Sequence, residues 1–150
     1  MNECIENDDI INQLKCCDKK TKVFTLDGLY KLCKIVSVYD GDTCRAVFNH
    51  NGLINKWTIR MNGYDTPEIR PSRSLPNRDE IKKKAIESRE YLKSLVCNEN
   101  QLVYLKCGGF DKYGRLLGEL FIDKNDIDSV NNLMIKNGYA YEYHGGTKKK

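Results

Sequence analysis

The sequence predicts an α+β, mainly β fold: a closed barrel of five short strands with about two helices packed on it. Three observations predict it. Apolar and β-branched runs with two-residue alternation recur along the chain, separated by Gly, Asn and Asp turn signals. Two longer stretches instead carry apolar residues at helical spacing. The resulting order is three strands, a helix, two strands and a helix.

Residues 1–28 read as a poorly defined N-terminal extension, with a short helix over 9–14 and a loose lead-in from Thr21 to Gly28. Residues 30–39 are apolar and β-branched, which predicts a long strand. Over 43–48, Cys44, Ala46 and Phe48 alternate with Thr43, Arg45 and Val47. Asn49-His50-Asn51-Gly52 has hairpin-turn chemistry. Over 53–61, Trp57, Ile59 and Met61 share one face, and Lys56, Thr58 and Arg60 the other. Pro71 and Pro76, among Ser, Asn and Arg, make 69–78 an irregular loop. A helix follows over 79–97, with Ile81, Ala85, Leu92 and Leu95 or Val96 inward and Lys82, Lys83, Glu87 and Glu90 outward. Strands are predicted over 101–107 and 115–122, joined by a turn at 110–114. A last helix covers 128–137, with Asp126 or Asp128 as its cap and Gly138 as its stop. Five strands with helices inserted in this order suit a Greek-key barrel of the oligonucleotide-binding type, spanning 29–147.

With 150 residues the chain has the size of one ordinary domain. It is 40% hydrophobic and 31% charged, with a net charge of +4, too modest to predict a nucleic-acid partner alone. Basic residues gather over 70–93 and in a closing tail, 148–150, and such runs are most often solvated faces. The acidic start lacks the apolar core of a secretory signal, and no apolar run approaches the roughly 18 residues of a membrane span. Seven cysteines without a CxxC pair fit a reduced, intracellular protein, in which Cys33, Cys44 and Cys107 are small apolar fillers of strands. Cys4, Cys16 and Cys17 have no partner at ligand spacing, which argues against zinc.

Three segments carry the chemistry: Asp40-Gly41-Asp42-Thr43, then Arg60 with Asp65-Thr66-Pro67-Glu68, then Asp111-Lys112-Tyr113-Gly114-Arg115. Each is by itself good turn chemistry, since Asp bonds its own backbone and Gly accepts positive φ. Their combination says more. Asp42 follows the first strand, and Asp65 and Glu68 follow the third, so a closed meander brings them to one end. Carboxylates, backbone carbonyls and water make a hard-oxygen site that suits calcium or magnesium, with no His or Cys among them. Arg60, on the same strand as Asp65, and Arg115 in the second hairpin would offer planar forks to a phosphodiester. Glu68 is then placed to act on water.

On these motifs, with Val130-Asn131 and Gly138-x-Ala140 as a weaker fourth, the chain resembles the staphylococcal nuclease (thermonuclease-like) family from Tyr30 to Tyr143. The resemblance implies a calcium-dependent phosphodiesterase acting on DNA and RNA, leaving 3′-phosphate and 5′-hydroxyl ends. It implies Asp42 and Asp65 as calcium ligands beside the Thr66 carbonyl, and Glu68 as base. It implies Arg60 and Arg115 on the scissile phosphate, and Lys112 and Tyr113 on the nucleotide's other phosphate. The family's archetype continues into a further C-terminal helix, whereas this sequence stops at Lys150. Its pocket tyrosines do not align cleanly here, and Tyr143 is preferred over Tyr141. The second reading is a non-catalytic nucleic-acid or protein-binding module on the same barrel, which would need no metal. A monomer is assumed.

Overall fold

A computed structural model of the chain describes residues 5–145. Five strands close into a barrel: β1 (Tyr30–Asp40), β2 (Thr43–His50), β3 (Leu53–Met61), β5 (Val103–Phe110) and β6 (Leu116–Phe121). They run in the order β1-β2-β3-β6-β5, and β1 pairs β5 to complete the ring. All neighbours are antiparallel except β3 and β6, which run parallel, with Ile59 opposite Leu116 and Arg60 opposite Leu117. The fold is thus the mainly β barrel of oligonucleotide-binding type that the strand order predicts.

Period-two alternation supplies the barrel core. Cys33, Ile35, Cys44, Ala46, Phe48, Ile59, Met61, Val103, Leu105, Cys107, Leu116 and Leu120 are all buried. The cysteines act as the apolar fillers expected of them, and burial pushes the Cys33 thiol up to about 12. Gly118 takes the remaining inward position on β6. A Cβ there would meet Leu105 Cδ1 at 2.5 Å and Ile59 Cγ2 at 2.9 Å, so the barrel closes only around glycine. The Asn51-Gly52 turn joins β2 to β3 with φ of 53° and 86°, as the hairpin chemistry predicts.

Helix α2 (Arg78–Val96) lays Ala85, Ser88, Leu92 and Val96 inward. Helix α3 (Val130–Lys136) buries Val130, Asn131 and Met134. Its cap is Ser129, whose hydroxyl accepts from Asn132 N. Neither Asp126 nor Asp128 caps it; Asp126 instead accepts from Asp123 N in the preceding turn. Asn131 locks the barrel's closing seam: its Oδ1 accepts from Leu120 N, and its Nδ2 donates to the carbonyls of Asn62 and Gly118.

Four features differ from the reading of the sequence. Strand β5 is shifted, beginning at Val103 and running through Gly108-Gly109 to Phe110, with an irregularity between Cys107 and Phe110. A second sheet of two residues per strand, β4 (Tyr64–Asp65) with β7 (Tyr141–Glu142), was not anticipated. Arg60 and Asp65 lie on different strands, separated by a turn at Asn62-Gly63 in which Gly63 has φ of 86°. Leu26, assigned to the lead-in, is fully buried and belongs to the core. The short helix of the extension is present as α1 (Asp8–Lys15), capped by Asn7, with no buried residue. The basic tail at 148–150 lies outside the described residues, as does Cys4.

Candidate active site

One end of the barrel carries an open cleft of about 480 Å³. It is lined by Asp40, Asp42, Arg60, Asp65, Glu68 and Arg115, with Thr43 and the tyrosines 39, 113 and 143. That volume is in the range of small-molecule sites. Four carboxylates face two guanidiniums.

Each acid reaches the cleft through a local device. Asp40 ends β1, and its carboxylate accepts from Asp42 N at 3.0 Å, which bends the chain into the turn. Gly41 lets that turn press on its surroundings, because a Cβ would meet Ser88 and Thr66 side-chain carbons at 2.8 Å. Tyr64, fully buried, donates its hydroxyl to the Gly41 carbonyl at 2.6 Å and ties this turn to β4. Asp65, the next residue, is only 6% exposed. Its side chain accepts from Thr66 N at 2.9 Å.

Arg60 sits between the two acid segments. Its Nη1 donates to the carbonyls of Met61 and Tyr64, at 2.9 and 3.0 Å, which locks the turn after β3. Its Nη2 lies 3.6 Å from Asp42 Oδ2 and 3.5 Å from Asp65 Oδ1. The two aspartates expected to share a ligand are therefore brought together on one guanidinium. Asp42 also accepts from the hydroxyls of Thr43 and Thr66. Burial, together with the neighbouring Asp40 carboxyl, holds the Asp42 carboxyl above its ordinary range despite Asp65 and Arg60.

Arg115 approaches from the β5–β6 turn. Asp111 builds that turn, accepting from the backbone N–H of Tyr113 and of Arg115. It also accepts from Arg115 Nε at 2.7 Å. Burial pushes the Asp111 carboxyl up, but the Arg115 backbone N–H and guanidinium and the Tyr113 N–H outweigh it and hold it below the usual range. Arg115 Cζ lies 5.3 Å from the centre of the Tyr113 ring.

The structure thus gathers Asp42, Asp65, Arg60, Glu68, Arg115 and Tyr113 at one cleft. Thr66 is buried and contributes its hydroxyl to Asp42, and it is not among the lining residues. Lys112 does not line the cleft either; its ammonium lies 5.2 Å over the Tyr113 ring. Of the two C-terminal tyrosines, Tyr143 lines the cleft, while Tyr141 pairs with Asp65 through β7. The sequence reading overlooked Asp40, Tyr39 and Tyr64. Asp40 had a signal, since it stands in the same motif as Asp42. Tyr39 and Tyr64 had none, because both read as ordinary strand apolars. Among the described residues, no group of three or more His, Cys, Asp or Glu side chains forms a ready-made metal cage. No helix among them is long and apolar enough to cross a membrane.

Known proteins are similar to this chain in sequence. The uncharacterized protein MJ1439 of Methanocaldococcus jannaschii is 28% identical over 124 residues, covering 73% of this chain and 58% of the relative. The chain therefore spans little more than half the length of that relative. The family model described as staphylococcal nuclease homologue matches residues 58–150. That range holds Arg60, Asp65, Glu68 and Arg115, and the barrel adds Asp42 from the β1–β2 turn before it. With more than half of its residues matched by that model, the chain belongs to the staphylococcal nuclease homologue family.

Proposed function

We propose that this protein is a calcium-dependent phosphodiesterase that hydrolyses DNA and RNA and leaves 3′-phosphate and 5′-hydroxyl ends. The observation that carries the reading is the convergence of Asp42 and Asp65 on Arg60 in a cleft that also holds Glu68 and Arg115. Its family is of the nuclease type.

The donor chemistry fits a hard cation. The cleft holds four carboxylates and two guanidiniums, so it would repel an anionic phosphodiester on its own. Asp42 and Asp65 share the single Arg60 guanidinium, so their two charges leave room for a further cation there. Asp42 and Asp65 would hold calcium, with the Thr66 carbonyl beside them and water completing the oxygen shell. When bound, the cation supplies Lewis-acid polarisation of the phosphate and a fixed point for its orientation.

The chain's own groups do the rest. Arg60 and Arg115 donate from planar forks to the non-bridging oxygens as charge grows on phosphorus. Backbone carbonyls already grip Arg60 Nη1, and Asp111 grips Arg115 Nε, so both forks arrive oriented. Glu68 is exposed at the rim, where it meets water, and takes a proton from the attacking molecule. Tyr113 and Lys112 stand on the Arg115 side to contact the rest of the nucleotide.

Cleavage of single-stranded DNA with calcium and with excess EGTA tests the reading. Calcium should support cleavage, chelation should abolish it, and Asp42→Ala should weaken cation binding. Undiminished cleavage in EGTA would overturn the metal assignment. A binding module would retain single strands and cleave nothing under either condition.

A further inference from the structure

Strand β1 carries a bulge one residue before the site. Val38 pairs with Cys44 and Asp40 pairs with Thr43, so Tyr39 is the extra residue with no partner of its own on β2. In a regular strand, residues 39 and 40 would point to opposite faces of the sheet. The bulge breaks that alternation, and Tyr39 and Asp40 both line the cleft. Bulges beside functional sites commonly re-aim a side chain in this way.

The ring so aimed is 54% exposed, so much of its surface is open to a partner. Other tyrosines near the site have evident structural reasons. Tyr64 is buried and bonded to Gly41, and Tyr91 and Tyr139 stack at 4.1 Å. Tyr113, 71% exposed, comes with the turn that bears Arg115, whereas Tyr39 comes with the strand end that bears Asp40. An exposed ring therefore accompanies both the strand end that bears Asp40 and the turn that bears Arg115.

We propose that Tyr39 is a stacking platform for a nucleobase beside the scissile phosphodiester, at the β1 end of the cleft. This rests on the phosphodiesterase reading and adds a residue that contacts a base. Ring–base stacking is tolerant of sequence and needs an open π-face, which a duplex hides between neighbouring pairs.

The test compares wild type, Tyr39→Ala and Tyr39→Phe on three substrates with calcium. These are a thymidine dinucleotide and two thymidine methyl phosphodiesters, one keeping only the 5′ nucleoside and the other only the 3′ nucleoside. The readout is the advantage in kcat/KM of the dinucleotide over each methyl ester. Tyr39→Ala should collapse that advantage over one of the two esters by on the order of 5- to 150-fold, the worth of one stacked base. Tyr39→Phe, which keeps the ring, should retain it. An advantage that survives in Tyr39→Ala, an equal loss on all three substrates, or an equal loss in Tyr39→Phe would each overturn the platform. Calorimetric binding of oligothymidylate with calcium, every protein carrying Glu68→Gln so that the strand persists, separates this from failure of the phosphodiesterase reading. If wild type cleaves nothing yet Tyr39→Ala binds the strand more weakly by the same factor, the hydrolytic reading falls and the platform stands. If wild type cleaves and Tyr39→Ala binds and cleaves as wild type does, the platform alone falls. If wild type neither cleaves nor binds, both fall.

Discussion

Replacing Tyr64 by phenylalanine removes one atom from the centre of the site. The ring is fully buried, and its hydroxyl donates to the Gly41 carbonyl at 2.6 Å. Phenylalanine fills the same space, so no cavity term enters. What remains is a buried carbonyl deprived of its donor, which costs about 1–3 kcal/mol. For a domain of this length that corresponds to a fall in Tm of about 2–12 °C. The bond also ties the turn between Asp40 and Asp42 to the strand that carries Asp65. Loosening it should misplace the two acid segments relative to one another, and kcat should fall at least about tenfold, since misplacement of reacting groups by about 1 Å can cost on the order of 100-fold. Thermal unfolding by circular dichroism and turnover on single-stranded DNA across a calcium titration read the two effects separately. Tyr91→Phe is the control. Its hydroxyl accepts from Asn137 at an exposed position, so stability should change by less than about 1 kcal/mol and turnover should hold. Unchanged stability in Tyr64→Phe would show that the bond contributes nothing net. Lost stability with full turnover would show that it does not position the acids.

Three further outcomes are expected. Glu68→Gln should lower turnover by on the order of 10²- to 10⁴-fold with little change in calcium or nucleotide affinity, checked by saturating kinetics beside calorimetry; near-normal turnover would remove Glu68 from the chemistry. Arg115→Lys should lower turnover at least about tenfold with the fold intact, because a point charge can still pair with Asp111 but cannot also present a fork to phosphate; an active lysine variant would reduce Arg115 to a hairpin residue. Asp111 has a lowered folded-state pKa, so its stabilisation is fully present above the ordinary value of 3.8 and is lost as pH falls through the lowered one. Asp111→Asn should therefore melt below wild type at pH 6, with the gap closing in acid, and a pH-independent gap would refute that account.

The sequence by itself determined the parts whose signal is local. Apolar, β-branched runs and period-two alternation marked the five barrel strands, because a strand such as β2 fills one face with Cys44, Ala46 and Phe48 and turns the other outward. Helical spacing marked α2, and the Asn51-Gly52 pair marked its hairpin, because backbone preference there acts within a few residues. The acids and arginines were legible as types in three ordered motifs. Their meeting was decided only by tertiary structure. Asp42 and Asp65 share Arg60 because β1-β2-β3 curls until β5 returns to β1, an effect of sheet twist and long-range pairing that no window of residues contains. The β4–β7 pair is too short to show a period, and Leu26 reads as part of a polar lead-in until the barrel supplies a place to bury it. Ser129 outcompeted Asp126 and Asp128 as a cap because α3 starts where Val130 can be buried, not where the sequence first offers a carboxylate. Tyr39 entered the cleft through a mismatch in pairing between two strands, and pairing register belongs to both strands at once.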